Sequence, residues 1–204
     1  MRKIAQFFGS RQNSVGSAAF ILTTMVLVSR ILGLVRDRML ASRFGPDELG
    51  VYFAAFRIPN LLFELLVMGA LTSAFIPVFT RYIAQNKEKE AWNMTNTILH
   101  AALLTLAVMT VPVLVFTPAI SRFLAPGFND AQLIQMTQFT RFMVIFQVTP
   151  LLVGNLFTGV LQSFNLFIIP ALAPVVYNVG IIFGIIFFSA TLGLFAPVVG
   201  VAIG

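Results

Sequence analysis

The stretch VGSAAFILTTMVLVSRILGLVRD, residues 15–37, decides the fold of this chain. If its helix ended at Val28, the apolar run would cover about 21 Å at about 1.5 Å per residue, which is short of the roughly 30 Å hydrocarbon core of a bilayer. Extension to Val35 gives about 31 Å. We therefore predict a membrane-spanning helix that passes through Arg30 and carries the next two charged residues near its end.

The composition of the whole chain supports this interpretation. Of its 204 residues, 58% are hydrophobic and 10% are charged, whereas soluble domains carry roughly 25% charged residues. The mean hydropathy of +0.94 predicts an all-α, polytopic transmembrane helix bundle. The net charge of +6 is not gathered on a basic face, so we predict no nucleic-acid partner.

Few residues are available for metal, redox or covalent chemistry. The chain has no cysteine, which excludes disulfides and thiolate metal sites, and its one histidine, His100, cannot build a His-rich site. The sequence contains no evident nucleophile–base pair, paired-carboxylate motif or Gly-rich phosphate loop. We therefore predict no metal, no cofactor and no enzymatic activity.

The N-terminal segment has the charge pattern of a secretory signal peptide, because three basic residues precede the apolar run. No small-x-small cleavage site follows Val28, so we predict that the first helix is retained. We assign residues 1–14 to a cytoplasmic N-terminal segment and residues 15–204 to the transmembrane region.

The second predicted span, Leu49–Tyr82, is too long for one straight crossing of a bilayer. Pro59 has no N–H and therefore frees the carbonyl of Ala55, which predicts a kink near Arg57.

Proline, glycine and polar clusters separate the remaining apolar runs. The last run begins near Leu192 and stops at Gly204, which covers only about 20 Å. We predict about five complete spans and a truncated sixth, and hence a fragment of a longer protein. The third, fourth and fifth spans are predicted at Thr95–Phe116, Phe139–Leu161 and Leu166–Phe188, with a loop at Pro118–Gln132.

The orientation follows from Lys and Arg in the connections between spans. The second-to-third connection has Arg81, Lys87 and Lys89, whereas the third-to-fourth loop has only Arg122. This difference favours a cytoplasmic N-terminus. Three arginines that follow the first predicted crossing, at positions 36, 38 and 43, argue for the opposite orientation.

Ionisable residues inside the predicted spans indicate a functional site, because charge is costly within a bilayer. They are Arg30, Arg36, Asp37, Arg57 and Glu64. Arginine stays charged when desolvated and binds phosphate oxygens in bidentate geometry, so a basic cavity suits a phosphate- or carboxylate-bearing lipid. Two structural roles remain open: snorkelling of the first-span arginines to the interface, and a polar pair of Arg57 with Glu64.

Several short blocks of the chain form a distinctive set. They are SRILGLVRD at 29–37, FG at 44–45, FRIPNLL at 56–62, GALTSAFIPVF at 69–79, APGF at 125–128 and IPALAPVVYN at 169–178. In this order, over about residues 17–200, they resemble the MurJ (MviN) lipid II flippases of the multidrug/oligosaccharidyl-lipid/polysaccharide (MOP) exporter superfamily.

The resemblance implies a transporter with fourteen transmembrane helices, in two six-helix lobes plus a terminal pair, of which this chain is the first lobe. Such proteins move the lipid-linked peptidoglycan precursor lipid II from the inner to the outer leaflet by alternating access. The family's cavity arginines and adjacent acid in the first helix have counterparts here, as does a basic residue of the second helix. The substrate-binding candidates are Arg30, Arg36, Asp37 and Arg57, with Asn60 and Glu64 as further polar residues of the cavity.

Three charged positions of the family differ in this chain. Gly50 replaces an acid after the FG turn, Phe63-Glu64 replaces an Arg-Arg pair, and Met68 replaces an acid. A related exporter of another polyprenyl-linked oligosaccharide and a multidrug antiporter therefore stay open. So does a non-transporting scaffold that binds other proteins through the small residues of Gly69–Ala74.

The family resemblance also implies a location and a set of partners. The location is the bacterial cytoplasmic membrane, which the chain would cross several times. The implied partners are membrane lipids, a lipid-linked pyrophosphate glycan as substrate, and a missing C-terminal lobe of the same chain.

Overall fold

The computed structural model describes residues 15–67 and 71–204, with side chains at 19–65 and 75–204. The predicted segment 1–14, Met68 and the side chains of the predicted small-residue surface at 69–74 lie outside these described residues. All regular secondary structure within them is α-helical. The helices are α1 (Val15–Arg43), α2 (Pro46–Ala55), α3 (Arg57–Val67), α4 (Leu71–Ala84), α5 (Glu88–Leu124), α6 (Asp130–Phe146), α7 (Val148–Ser163), α8 (Ile168–Leu192) and α9 (Phe195–Ile203).

Four stretches of the described chain are long and apolar enough to cross a bilayer, judged by length and composition. The second predicted span instead consists of three shorter helices, α2, α3 and α4. The prediction of an all-α, polytopic transmembrane bundle is confirmed. The four stretches are Ala19–Arg43, Glu88–Leu124, Asp130–Ser163 and Ile168–Leu192.

The kink predicted in the second span is confirmed. The break falls between Ala55, where α2 ends, and Arg57, where α3 begins. Pro59 offers no N–H to the Ala55 carbonyl, and the hydroxyl of Thr140 in α6 donates to that oxygen at 3.1 Å. The side chain of a neighbouring helix therefore replaces the backbone hydrogen bond that proline removes.

Helix α1 is longer than predicted. It ends at Arg43 rather than near Val35, so Arg36 and Asp37 lie about two turns inside the helix and not near its end. The extension is stabilised by α8, because Arg43 donates through Nη1 to the Ile185 carbonyl at 2.7 Å. The polar end of this helix is thus part of the bundle.

The predicted loop Pro118–Gln132 is wrong in its first part, because α5 continues to Leu124. Pro118 removes the N–H that would bond the Leu114 carbonyl, and Arg141 of α6 donates to that oxygen through Nε at 3.1 Å. Membrane helices tolerate proline where another group satisfies the freed carbonyl. The proline therefore lies inside a helix and does not end it.

The last three predicted spans also differ in their boundaries. The fourth span is two helices, α6 and α7, that are separated at Gln147; Pro150 removes one backbone donor close to this break. Helix α8 continues past its predicted end at Phe188 to Leu192. The last helix begins at Phe195, slightly later than predicted.

Helices α8 and α9 form an antiparallel hairpin with very close backbones. The turn between them contains Gly193, whose φ of +52° favours glycine. A Cβ atom added to Gly184 would lie 2.6 Å from the Ala196 carbonyl oxygen, and one added to Gly200 would lie 2.7 Å from the Gly180 carbonyl oxygen. Only glycine permits this approach, as at other small-residue interfaces of membrane helices.

The buried apolar side chains form two clusters. Core 1 draws on the end of α1, on α2, on α6 up to Met143, and on α8 and α9, while core 2 draws on α3, α4, α5, the end of α6 and α7. The chain changes cluster at or near both breaks: Ala55 belongs to core 1 and Ile58 to core 2, while Met143 belongs to core 1 and Val144, about one turn before the break at Gln147, already belongs to core 2. The two breaks therefore lie where the cores meet.

Candidate substrate-binding site

Arg36 is held at all three nitrogens of its guanidinium group. Nε donates to Oδ1 of Asp37 at 2.9 Å, Nη2 lies 2.9 Å from the same oxygen, and Nη1 donates to Oδ1 of Asn178 at 2.8 Å. A guanidinium has five N–H donors, so about two of them remain for a ligand. The Arg36 side chain is 23% exposed and that of Asp37 52% exposed, which leaves the ion pair accessible.

Asn178 of α8 fixes this ion pair to the bundle. Its Nδ2 donates to the carbonyl and to the hydroxyl of Ser29 at 3.1 Å each, and to the carbonyl of Pro174 at 3.0 Å. The residue is buried, and its amide bonds to Ser29 and to Arg36 join α1 and α8 over about two helical turns. Arginine and asparagine are thus parts of one polar network between apolar helices.

Arg30 differs from Arg36 in being exposed on α1. No hydrogen bond or ion pair joins it to another residue within the described part of the chain. Its charge is therefore available to an anion, whereas the charge of Arg36 is shared with Asp37. The two arginines are about two turns apart along the helix.

Arg57 is not part of the network around Arg36. Its Nη1 donates to the carbonyl of Leu124 at 3.0 Å, close to the C-terminus of α5, where a positive charge also stabilises the helix dipole. The polar pair of Arg57 with Glu64 does not form in the described structure. Glu64 and Asn60 are both exposed.

Arg57 lines a cavity of about 580 Å³ together with Gly50, Leu124 and Phe128. Gly50 is one of the positions at which the resemblance implied an acid. The position that lacks the acid therefore lines the same cavity as Arg57. Without a carboxylate there, the Arg57 guanidinium donates to a backbone carbonyl of α5.

Sequence reasoning missed Asn178 and Ser29 as members of the polar network. Both are uncharged, whereas the predicted site rested on ionisable side chains within the spans. An amide inside an apolar run, such as Asn178 in α8, is the signal that could have indicated a partner for Arg36. Within the described residues, no group of three or more His, Asp or Glu side chains could hold a metal ion.

The architecture and the site together define a multi-pass membrane protein with arginines set among its helices. A family model described as "Lipid II flippase MurJ" matches residues 40–204. The chain belongs to the MurJ lipid II flippase family. The family is named for a transport activity rather than for catalysis.

Individual relatives agree with the family model. The chain is 36% identical over 172 residues to a probable lipid II flippase MurJ of Buchnera aphidicola subsp. Acyrthosiphon pisum, which covers 83% of this chain and 34% of that protein. It is 28% identical over 189 residues to a probable lipid II flippase MurJ of Borreliella burgdorferi, with coverage of 90% and 37%. The chain therefore spans about a third of the length of these relatives.

A solved structure has the same fold. It is described as a lipid II flippase MurJ in an inward closed conformation, and it matches with a TM-score of 0.74 at 26% sequence identity. The match covers 90% of this chain and 39% of that structure.

Proposed function

We propose that this chain is the first lobe of a flippase that moves lipid II across the bacterial cytoplasmic membrane by alternating access. The membership of the MurJ family supports the substrate, and the share of the relatives that it covers supports a lobe with further helices beyond it. The observation that carries the proposal is the Arg36–Asp37–Asn178 network inside an apolar bundle.

In this proposal Arg30 and Arg36 bind the pyrophosphate of the substrate. The free N–H groups of Arg36 suit phosphate oxygens in bidentate geometry, and Arg30 adds an unshared positive charge. Asp37 accepts hydrogen bonds from sugar hydroxyls and keeps Arg36 in place when no substrate is bound. Arg57, with Asn60 and Glu64, contributes at the level of α3.

We further propose that the N-terminus is cytoplasmic, on the balance of basic residues in the connections. The arginines that argue against this orientation include Arg36 and Arg43, and both are engaged with α8. Arginines bonded to a neighbouring helix are poor indicators of orientation, since the rule counts charges in flanking loops. Arg38 then remains as the main opposing charge.

A cation-coupled drug antiporter is a weaker candidate for this chain. Such a mechanism needs a membrane-embedded acid that is free to exchange cations. Asp37 is ion-paired with Arg36 at 2.9 Å, and Glu64 is exposed.

The proposal is tested with Arg36→Ala in the complete polypeptide that carries this chain. We expect loss of growth in a strain depleted of its own lipid II flippase, with the variant still present in the membrane. Arg38→Ala, an exposed arginine of the same helix, is the matched control and should support growth. Normal growth of the Arg36→Ala strain would sink the proposed role of this network.

A further inference from the structure

A second cavity, lined mainly by apolar residues with a few polar side chains, contains no charged side chain. It does not include the side chains of Arg36, Asp37 and Asn178, called here the arginine network. It has a volume of about 610 Å³ between α3, the α6–α7 break, α8 and α9. That volume falls within the roughly 300–1,000 Å³ of ordinary small-molecule sites. Its polar lining consists of Asn60, Gln147, Asn155, Thr158 and Tyr177.

Gln147 is the most informative residue of this cavity. The residue is 5% exposed, and its side-chain Oε1 has no hydrogen-bond partner within the described part of the chain. A buried amide oxygen without a donor costs about 1–3 kcal/mol, so such groups in native proteins call for an explanation. The oxygen itself has almost no accessible surface in this conformation, so rotation of the side chain towards the cavity would let a ligand with an O–H or N–H group satisfy it.

The position of Gln147 along its span is that of a transporter binding site. It separates α6, with 17 residues, from α7, with 16 residues, and so lies near the middle of the crossing. Discontinuous helices at the bilayer midplane commonly form substrate sites in transporters. Asn60 lies one turn after the second break, that between α2 and α3.

The chemistry of the lining favours an uncharged ligand with many hydroxyl or amide groups. Amides and hydroxyls both donate and accept hydrogen bonds, while Phe63 and Phe146 add apolar surface. A bare cation would need a tight cage of oxygen ligands, which a cavity of this size does not provide. A pyrophosphate would need positive charge, which none of the lining side chains carries.

Helix α8 borders both the cavity and the arginine network. Pro174 and Tyr177 line the cavity, and the carbonyl of Pro174 accepts a hydrogen bond from Asn178, the partner of Arg36. A ligand with its pyrophosphate at Arg36 could therefore extend its uncharged part past this segment of α8.

We propose that this cavity binds the uncharged glycan part of the substrate, with Gln147 as a specificity-determining residue. This inference rests on the proposed function. Two separate sites then recognise two parts of the same substrate. The arginine network binds the pyrophosphate, and the neutral cavity distinguishes a glycan-bearing lipid from a bare polyprenyl pyrophosphate.

The test measures binding to the complete, purified polypeptide with two probes: lipid II, and the same polyprenyl pyrophosphate without sugars or peptide. We expect Gln147→Leu to weaken binding of lipid II by about tenfold and to leave binding of the sugar-free probe unchanged. Arg36→Ala should weaken both. Gln138→Leu is the matched control, because Gln138 is exposed on α6 and does not line this cavity.

Asn155→Leu is the second variant, and it should give the same selective loss if Gln147→Leu does not fold. Equal weakening of both probes, or no weakening of either, overturns the glycan site. A Gln147→Leu effect that disappears when sodium is replaced by a large organic cation overturns it in favour of an ion site. Failure of the unsubstituted protein to bind either probe contradicts the proposed function itself.

Discussion

Asn178 is the residue on which the geometry of the arginine network depends. It accepts from Arg36 and donates to Ser29, so Asn178→Leu removes the fixed partner of the guanidinium and leaves polar groups unpaired. We expect about a tenfold loss of lipid II affinity and a lower apparent melting temperature, since each unpaired buried group costs about 1–3 kcal/mol.

Ser29→Ala is the control for this substitution, because the Ser29 carbonyl still accepts from Asn178 after the hydroxyl is removed. Its affinity for lipid II should stay within about twofold of the unsubstituted protein. Binding of lipid II by Asn178→Leu at the original affinity would show that Arg36 does not need this partner.

Thr140 has a structural role at the residue scale. Thr140→Val keeps the shape of the side chain but leaves the Ala55 carbonyl without a donor, because Pro59 cannot supply one. We expect a loss of about 1–3 kcal/mol in stability, measured as a lower melting temperature in detergent. Thr137→Val should cost less, since the Thr137 hydroxyl is 3.4 Å from its acceptor on Ser121.

At the scale of elements, the α8–α9 hairpin depends on its glycines. Gly184→Ala would place a Cβ 2.6 Å from the Ala196 carbonyl oxygen and 2.8 Å from the Cα of Gly200, so the two backbones must separate. Overpacking of this kind costs about 1–3 kcal/mol. Thermal unfolding in detergent should therefore occur at a lower temperature.

Gly154→Ala is the control for the hairpin, because a Cβ there meets nothing within 4 Å. Alanine favours a helix over glycine by about 1 kcal/mol, so this variant should be as stable as the original protein or more stable. An equal loss of stability in Gly154→Ala and Gly184→Ala would contradict the close-packing argument.

The prolines show how far the sequence could predict the elements. Pro59 predicted a break, and the chain breaks at that point. Pro118 predicted the end of a helix, and the helix continues. The difference is tertiary, because Arg141 reaches the carbonyl that Pro118 frees, and no local pattern reveals a donor on another helix.

The candidate site shows the same limit. Because charge is costly within a bilayer, the sequence alone indicated Arg36 and Asp37 as candidate site residues. Their partner Asn178 follows Arg36 by 142 residues, and no local pattern joins the two. Gln147 was visible as a polar residue in an apolar run. Its position at a helix break and its lack of a donor among the described residues are properties of the fold.

At the scale of the whole molecule, both helix breaks lie near the boundary between core 1 and core 2. The chain passes from core 1 to core 2 near Phe56 and again near Gln147. Backbone hydrogen bonds continue through the second break, from the Gln147 N–H to the Met143 carbonyl at 2.8 Å and from the Leu151 N–H to the Gln147 carbonyl at 3.1 Å, so the side-chain packing changes there while the backbone stays joined. The lining of the neutral cavity includes Gln147, at one break, and Asn60, one turn after the other.

The orientation of the molecule can be tested because this chain has no native cysteine. Helix α5 has 37 residues and is about 55 Å long, which is long enough to place its two ends on opposite sides of the membrane. Single cysteines at Lys89→Cys and Gly127→Cys, in a cysteine-free background, report on these ends. Both positions are exposed, and a side chain at Gly127 meets nothing within 4 Å.

With a cytoplasmic N-terminus, a membrane-impermeant maleimide added to intact cells should label Gly127→Cys and not Lys89→Cys. Permeabilised cells provide the control, since both cysteines should then react. The reverse pattern in intact cells would reverse the orientation. It would mean that the exposed arginines near the C-terminal end of α1, Arg38 and Arg43, outweigh the basic residues of the α4–α5 connection. Labelling of both cysteines in intact cells would show that α5 does not cross the membrane.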